Sequence, residues 1–147
     1  MTATNHALTG AIIGAILPLP IAVPVAFISH FILDALPHYG IPLKQRNSSS
    51  SYKNIVKLDI VIALTVGVLA IIYGKWDMEL AGWVAYSPDI SWVVNYFKQS
   101  KSLNIKTSNW FMRFHRKIQW CEFSKGIYIE IALFLVLFPV FFALLQT

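Results

Sequence analysis

Charge is scarce in this chain. Only 13% of its 147 residues are Asp, Glu, Lys or Arg, against about a quarter in an ordinary soluble domain, while 56% are hydrophobic. A soluble globule of this size cannot hide that much apolar surface, which argues against a soluble enzyme and equally against a disordered chain. Cysteine is scarcer still: Cys121 stands alone, so an internal bridge is impossible and a disulfide scaffold is excluded. No Lys or Arg precedes the first apolar run, and the hydrophobicity outlasts a typical signal-peptide core, so the N-terminus does not read as a signal peptide. Neither a phosphate-binding glycine loop nor a nucleophile elbow is found.

What remains is a single membrane domain over residues 1–147. Its apolar stretches are 7–17, 21–36, 58–73, 80–97 (interrupted) and 126–145. Only the last has the roughly 20 residues that cross a ~30 Å hydrocarbon layer upright. The expected architecture is all-α: an integral membrane helical bundle made of an N-terminal helical hairpin and about three further membrane helices. The net charge of +5 could suggest nucleic acid, but eleven of the twelve Lys and Arg fall in two segments, 44–57 and 98–125. The exception, Lys75, lies in a short connection with Asp77 and Glu79. By the positive-inside rule both basic segments face the cytoplasm and the Lys75 connection faces out. That makes the chain a multi-pass inner-membrane protein with a helical pair over 58–97 and a C-terminal membrane helix over 126–147. The serine run 47–51 reads as a flexible loop. The five tryptophans, Trp76, Trp83, Trp92, Trp110 and Trp120, fit interfacial anchors.

Residues 1–38 carry Pro18, Pro20 and Pro24. Proline ends helices yet is welcome in a first turn, so the pattern predicts a break near Pro18 to Pro20 and a restart near Pro24, giving a hairpin. One long kinked span over 7–36 is the alternative.

Of the seven acids, Asp34, Asp59, Asp89, Glu122 and Glu130 lie in or beside apolar segments. A carboxylate there is costly and faces a bundle interior or a cavity, offset by a metal or a partner. Small residues accompany these groups at helical spacing: Ala22 and Ala26 before His30 and Asp34, Gly10 and Gly14 after His6, Ala63, Gly67 and Ala70 after Asp59, Ala81 and Ala85 before Asp89. Such stripes let helices approach closely, which turns the polar groups toward one another. His115, Gln119, Glu122, Gly126 and Glu130 fall on one face of a helix running from Phe114 into the membrane.

His30 and Asp34, at i and i+4, suit two ligands of one metal, and His38 continues the series beyond Pro37, which ends the helix near Leu36. Depth provides a second argument. With a turn near Leu19 and about 1.5 Å per residue, His6 lies roughly 20 Å along one arm, and His30 and Asp34 roughly 17 to 23 Å along the other. Asp59 and His115 enter their helices at that level, and Asp89 reaches it if Pro88 starts a new helical segment. These residues share one layer near the cytoplasmic face.

The pieces NHALTGAIIG, SHFILDALPH, SPDISW and FHRKIQW resemble the small inner-membrane metal-dependent hydrolases of the YdjM-like group, distantly similar to membrane zinc-dependent phospholipase C-like proteins. The order of the elements differs, Ser91 stands where the group's turn has a second Asp, and the second His of the His-Arg motif is absent. The resemblance implies metal ligation by His6, His30, Asp34, Asp89 and His115.

Together these readings give a membrane-bound metal-dependent hydrolase that cleaves an ester or phosphoester of a lipid-like substrate with a metal-activated water. Imidazole and carboxylate donors favour zinc, one or two ions. Glu122 is the candidate base and Asp59 a carboxylate orienting a histidine. His38 and Arg116, with Lys117, are candidates for holding substrate. Gln119 and Glu130 are weaker site candidates, and no nucleic-acid partner is expected. The rivals are a metal or proton carrier lined by the same residues and a catalytically inactive membrane scaffold.

Overall fold

The computed structural model of the chain describes residues 1–46, 48–98 and 110–147, so Asn47 of the serine run and residues 99–109 of the second basic segment lie outside the described residues, as do the side chains of Ser91 and Trp92. Apart from one short strand pair the described elements are helical. Helix α1 (Ala3–Ile16) stops where Pro18 and Pro20 forbid continuation, and α2 (Leu19–Ala35) begins at once. The two fold back on each other, which brings His6 against Asp34 and His30, so residues 1–38 are a hairpin and not one kinked span. The restart comes earlier than Pro24: the amides of Ile21 and Ala22 both donate to the Pro18 carbonyl, at 2.8 and 2.9 Å, and close the first turn. Pro24 then lies inside α2.

Helix α1 is the centre of the bundle, packed on α2, on α4 (Ser50–Ile72), on α5 (Trp76–Lys98) and on α7 (Ile127–Leu145). Its two glycines make this possible. A Cβ on Gly10 would overlap the Ala81 carbonyl and come within 2.6 Å of the Ala85 methyl, and one on Gly14 would overlap the Asp77 carbonyl. Ala22, Ala26, Ala81 and Ala85 are all fully buried between α2 and α5, as the small-residue stripes require. Leu8, Val66, Met78, Phe141 and Leu145 form a second core between α1, α4, α5 and α7.

The helices α4 and α5 are joined by a tight turn at Gly74, whose φ of +70° a side-chain-bearing residue rarely adopts. Helix α4 starts eight residues before Leu58, because Ser49 caps it by accepting the Tyr52 amide at 3.2 Å. Two turns of the segment expected as loop are therefore helical, as is α3 (Leu43–Arg46).

Among the described residues two helical segments, Ser50–Ile72 and Ser124–Leu145, are long and apolar enough to cross a membrane, each with a mean hydropathy of 2.5 over its best window. Large apolar side chains cover their outer faces: Ile72 is 70% exposed, and Leu135 and Val136 are 64% exposed.

Two expectations need correction. Pro88 starts no new segment; α5 runs through it. Proline has no N–H for the carbonyl of Val84, and the hydroxyl of Ser87 donates to that oxygen instead, at 2.8 Å. The final helix is not continuous from Phe114 either. Helix α6 (Trp110–Ile118) ends, and β2 (Glu122–Phe123) pairs in parallel with β1 (His38–Tyr39) before a single 3-10 turn, Ser124–Gly126, leads into α7. His38 donates its amide to the Cys121 carbonyl at 3.2 Å and Gly40 to that of Phe123 at 3.3 Å. Gly126 permits the close crossing, since a Cβ there would overlap the His38 carbonyl.

Candidate metal centre

Asp34 lies at the end of α2 with no exposed surface, and polar side chains from three other helices converge on it. Its Oδ1 meets His6 Nε2 from α1 at 3.1 Å, and the Met1 amino group also lies against this oxygen. Its Oδ2 lies 2.7 Å from His115 Nε2 of α6 and 3.3 Å from His30 Nε2, one turn earlier on α2. Gln119 donates its side-chain amide to the same oxygen at 2.9 Å. Asp89 of α5 completes the group, its Oδ1 3.6 Å from His115 Nε2 and 3.9 Å from His30 Nε2. The two imidazole nitrogens are themselves 2.9 Å apart.

One donor atom from each of His30, Asp34, Asp89 and His115 thus falls within 4.8 Å of the others. This group can hold a metal ion. A tetrahedral ion with bonds of 2.0–2.1 Å spaces its donors by roughly 3.3 Å, and the separations here bracket that value. The chemistry of the donors fits too. His30 donates its Nδ1–H to the Ala85 carbonyl at 2.8 Å, which in the neutral ring leaves Nε2 as the bare nitrogen facing the cluster. A ring held by a backbone carbonyl through one nitrogen and free to coordinate through the other is the usual state of a metal-binding histidine. His6, His30, Asp34 and His115 have no exposed surface, whereas a quarter of the Asp89 side chain is exposed. Among the described residues, Asp89 is the member of the centre with exposed surface.

The other residues singled out by sequence divide sharply. His6 stands one layer back: its ring stacks on His30 with centroids 4.0 Å apart, and its Nε2 addresses Asp34. Gln119 joins the cluster through Asp34. Arg116 lies half-buried in α6 beside His115. Asp59 and Glu130 are not at the cluster, and Asp59 orients no histidine; both bond the first turn of α1. Glu122 faces His38 at 3.7 Å and Arg46 at 2.6 Å. Burial pushes its carboxyl up, but the nearby His38 ring and the Arg46 guanidinium outweigh this and hold it below the ordinary glutamate range. His38 donates its Nδ1–H to the Leu36 carbonyl at 2.7 Å.

Two partners were not foreseen. The Ala85 carbonyl belongs to a residue with no polar side chain, so no residue type in the sequence signals it as a partner. Arg46 is separated from Glu122 by 76 positions, and nothing local announces the pair. No protein-family model matches the chain, and neither curated proteins nor solved structures give a match.

Proposed function

We propose that this chain is a multi-pass inner-membrane hydrolase that uses one divalent ion, zinc, to cleave an ester or phosphoester of a lipid-like substrate on the cytoplasmic side. The observation that supports it most is the convergence of His30, Asp34, Asp89 and His115 at one end of a bundle whose outer faces are apolar. Two imidazoles and a carboxylate, with a second carboxylate beside them, suit a zinc ion that keeps one position for water. When bound, such an ion supplies Lewis acidity and lets water attack near neutral pH.

The chain's own residues supply position and proton transfer. His30 and His115 present their Nε2 atoms, the first locked by Ala85. Asp34 is held by His6 and Gln119 on its two oxygens, so its orientation is over-determined. Glu122 is committed to Arg46 and His38, so the base assigned to it from sequence passes in this proposal to Asp89. Its Oδ1 is the donor atom farthest from the imidazoles, 3.6 and 3.9 Å away, so in this proposal His30, Asp34 and His115 would hold the ion, the fourth position is left to water, and Asp89 takes the proton from that water. Basic side chains of α6, Arg116 and Lys117, flank that end and suit an anionic headgroup.

The test is an assay in phospholipid vesicles holding purified protein, first stripped with chelator and then given zinc. The proposal expects zinc-dependent release of an ester or phosphoester product, abolished in Asp34→Asn and His115→Ala. Equal product release with and without zinc, or none from any phospholipid, overturns the hydrolase reading.

A further inference from the structure

We infer that Asp59 and Glu130, one from each of the two long apolar helices, are positioning residues that fix the first turn of α1 and thereby hold His6 and Asp34 in register; the inference rests on the metal-centre reading above. The opening turn of a helix has four N–H groups without intrahelical partners. In α1 the side chain of Thr2, the residue before the first turn, caps nothing, and the work passes to two carboxylates from elsewhere in the bundle. Ala3 and Thr4 donate their amides to the two oxygens of Asp59, at 2.8 and 2.9 Å, and the Thr4 hydroxyl donates to the Asp59 carbonyl at 3.0 Å. Thr2 donates its amide and hydroxyl to the two oxygens of Glu130, at 3.0 and 2.8 Å. Asn5 donates its side-chain amide to Glu130 as well, at 2.7 Å to the carboxylate and 3.1 Å to the carbonyl.

Negative charge at a helix N-terminus is favourable, and Glu130 is 3% exposed. Both carboxylates are therefore spent on donors of the first turn, the backbone amides of Ala3 and Thr4 for Asp59 and the Thr2 amide with the Thr2 and Asn5 side chains for Glu130. Their effect on the centre is transmitted by one turn of helix. His6 follows Asn5 directly, donates to Asp34 at 3.1 Å and stacks on His30. That hydrogen bond is near the upper end of the normal range, so a displacement of the turn by a fraction of an ångström weakens it. The amide of Tyr39, in the linker that follows Asp34, reaches Glu130 at 3.4 Å, so the same carboxylate steadies the chain on both sides of the site.

The experiment uses the full chain in lipid nanodiscs, comparing wild type with Asp59→Asn, Asp59→Ala and Glu130→Gln. One readout is zinc affinity. The other needs no metal: the rate of maleimide labelling of a cysteine placed at Ala7→Cys, a position 4% exposed, with Cys121→Ser as background. The inference predicts a zinc Kd about 10- to 100-fold higher in the variants with unchanged stoichiometry, and faster labelling at position 7. Asp59→Ala should exceed Asp59→Asn, which keeps one acceptor oxygen and serves as the variant that folds. A purely structural role would lower thermal stability while the folded variants kept wild-type zinc affinity, and that result, or unchanged labelling in all three, overturns the inference. Faster labelling in a protein whose wild type binds no zinc would uphold the grip on α1 and sink the metal-centre reading alone.

Discussion

His30 Nδ1 lies 2.8 Å from the carbonyl oxygen of Ala85, and this one hydrogen bond sets which nitrogen of the ring is available to the centre. Ala85 can accept it because α1, α2 and α5 meet through glycine and alanine, with no larger side chain between the ring and the α5 backbone. Close packing and metal chemistry are thus the same feature seen at two scales.

Gly10→Ala tests the packing half of that statement. The new methyl would meet the Ala81 carbonyl and the Ala85 side chain, forcing α1 away from α5 at a cost of about 1–3 kcal/mol. A lower midpoint in denaturant titration, together with weaker zinc binding, is the expected outcome.

Ser87→Ala removes the donor that replaces the missing N–H of Pro88, leaving the Val84 carbonyl without it. The loss of one such bond costs about 1 kcal/mol. The variant should show a small drop in stability with wild-type zinc stoichiometry, since the Ser87 hydroxyl bonds the Val84 carbonyl and not a member of the centre.

Gln119→Ala deletes a hydrogen bond to Asp34 Oδ2 without removing a ligand. Its zinc affinity, measured by competition with a chelating dye, should fall about 10-fold, the lower end of what outer partners of metal ligands contribute. Glutamate at this position should be worse than alanine, because it sets a second carboxylate against Asp34.

Glu122 carries a pH dependence. Its carboxyl is held low in the folded state by His38 and Arg46, so the unfolded chain takes up the proton first as pH falls. The resulting stability is present above the unfolded glutamate value, near pH 4.3, and is lost as pH falls through the lower folded value. Wild type should exceed Glu122→Gln by about 1 kcal/mol at pH 7, the scale of a partly solvated ion pair. The gap should close below pH 4 in unfolding titrations run in parallel.

Much of this arrangement was legible in the sequence because it follows from local rules. The prolines at 18 and 20 break one helix and start the next, and a rise of 1.5 Å per residue puts His6 level with His30 and Asp34 once the chain reverses. The stripe of Gly10 and Gly14 announces a close neighbour without saying which. What could not be read is the work of long-range partners. A helical face from His115 to Glu130 was expected because the spacing fits. The chain abandons the helix at Ile118, since the segment after Trp120 pairs with His38 and Tyr39, more than 80 positions earlier. Asp59 and Glu130 were rightly read as carboxylates facing inward. Asp59 is met by the backbone amides of Ala3 and Thr4, which no side-chain pattern can reveal, and Glu130 by Thr2 and Asn5, more than 120 positions away.

The central claim is that His30, Asp34 and His115 bind one ion beside Asp89, and it is tested most directly by elemental analysis of detergent-purified protein after dialysis against metal-free buffer, wild type beside His30→Ala and Asp34→Ala. The account predicts close to one zinc per chain in wild type and none in either variant, with all three proteins folded. Metal-free wild type after zinc loading, or variants that retain zinc at the wild-type level, would contradict it.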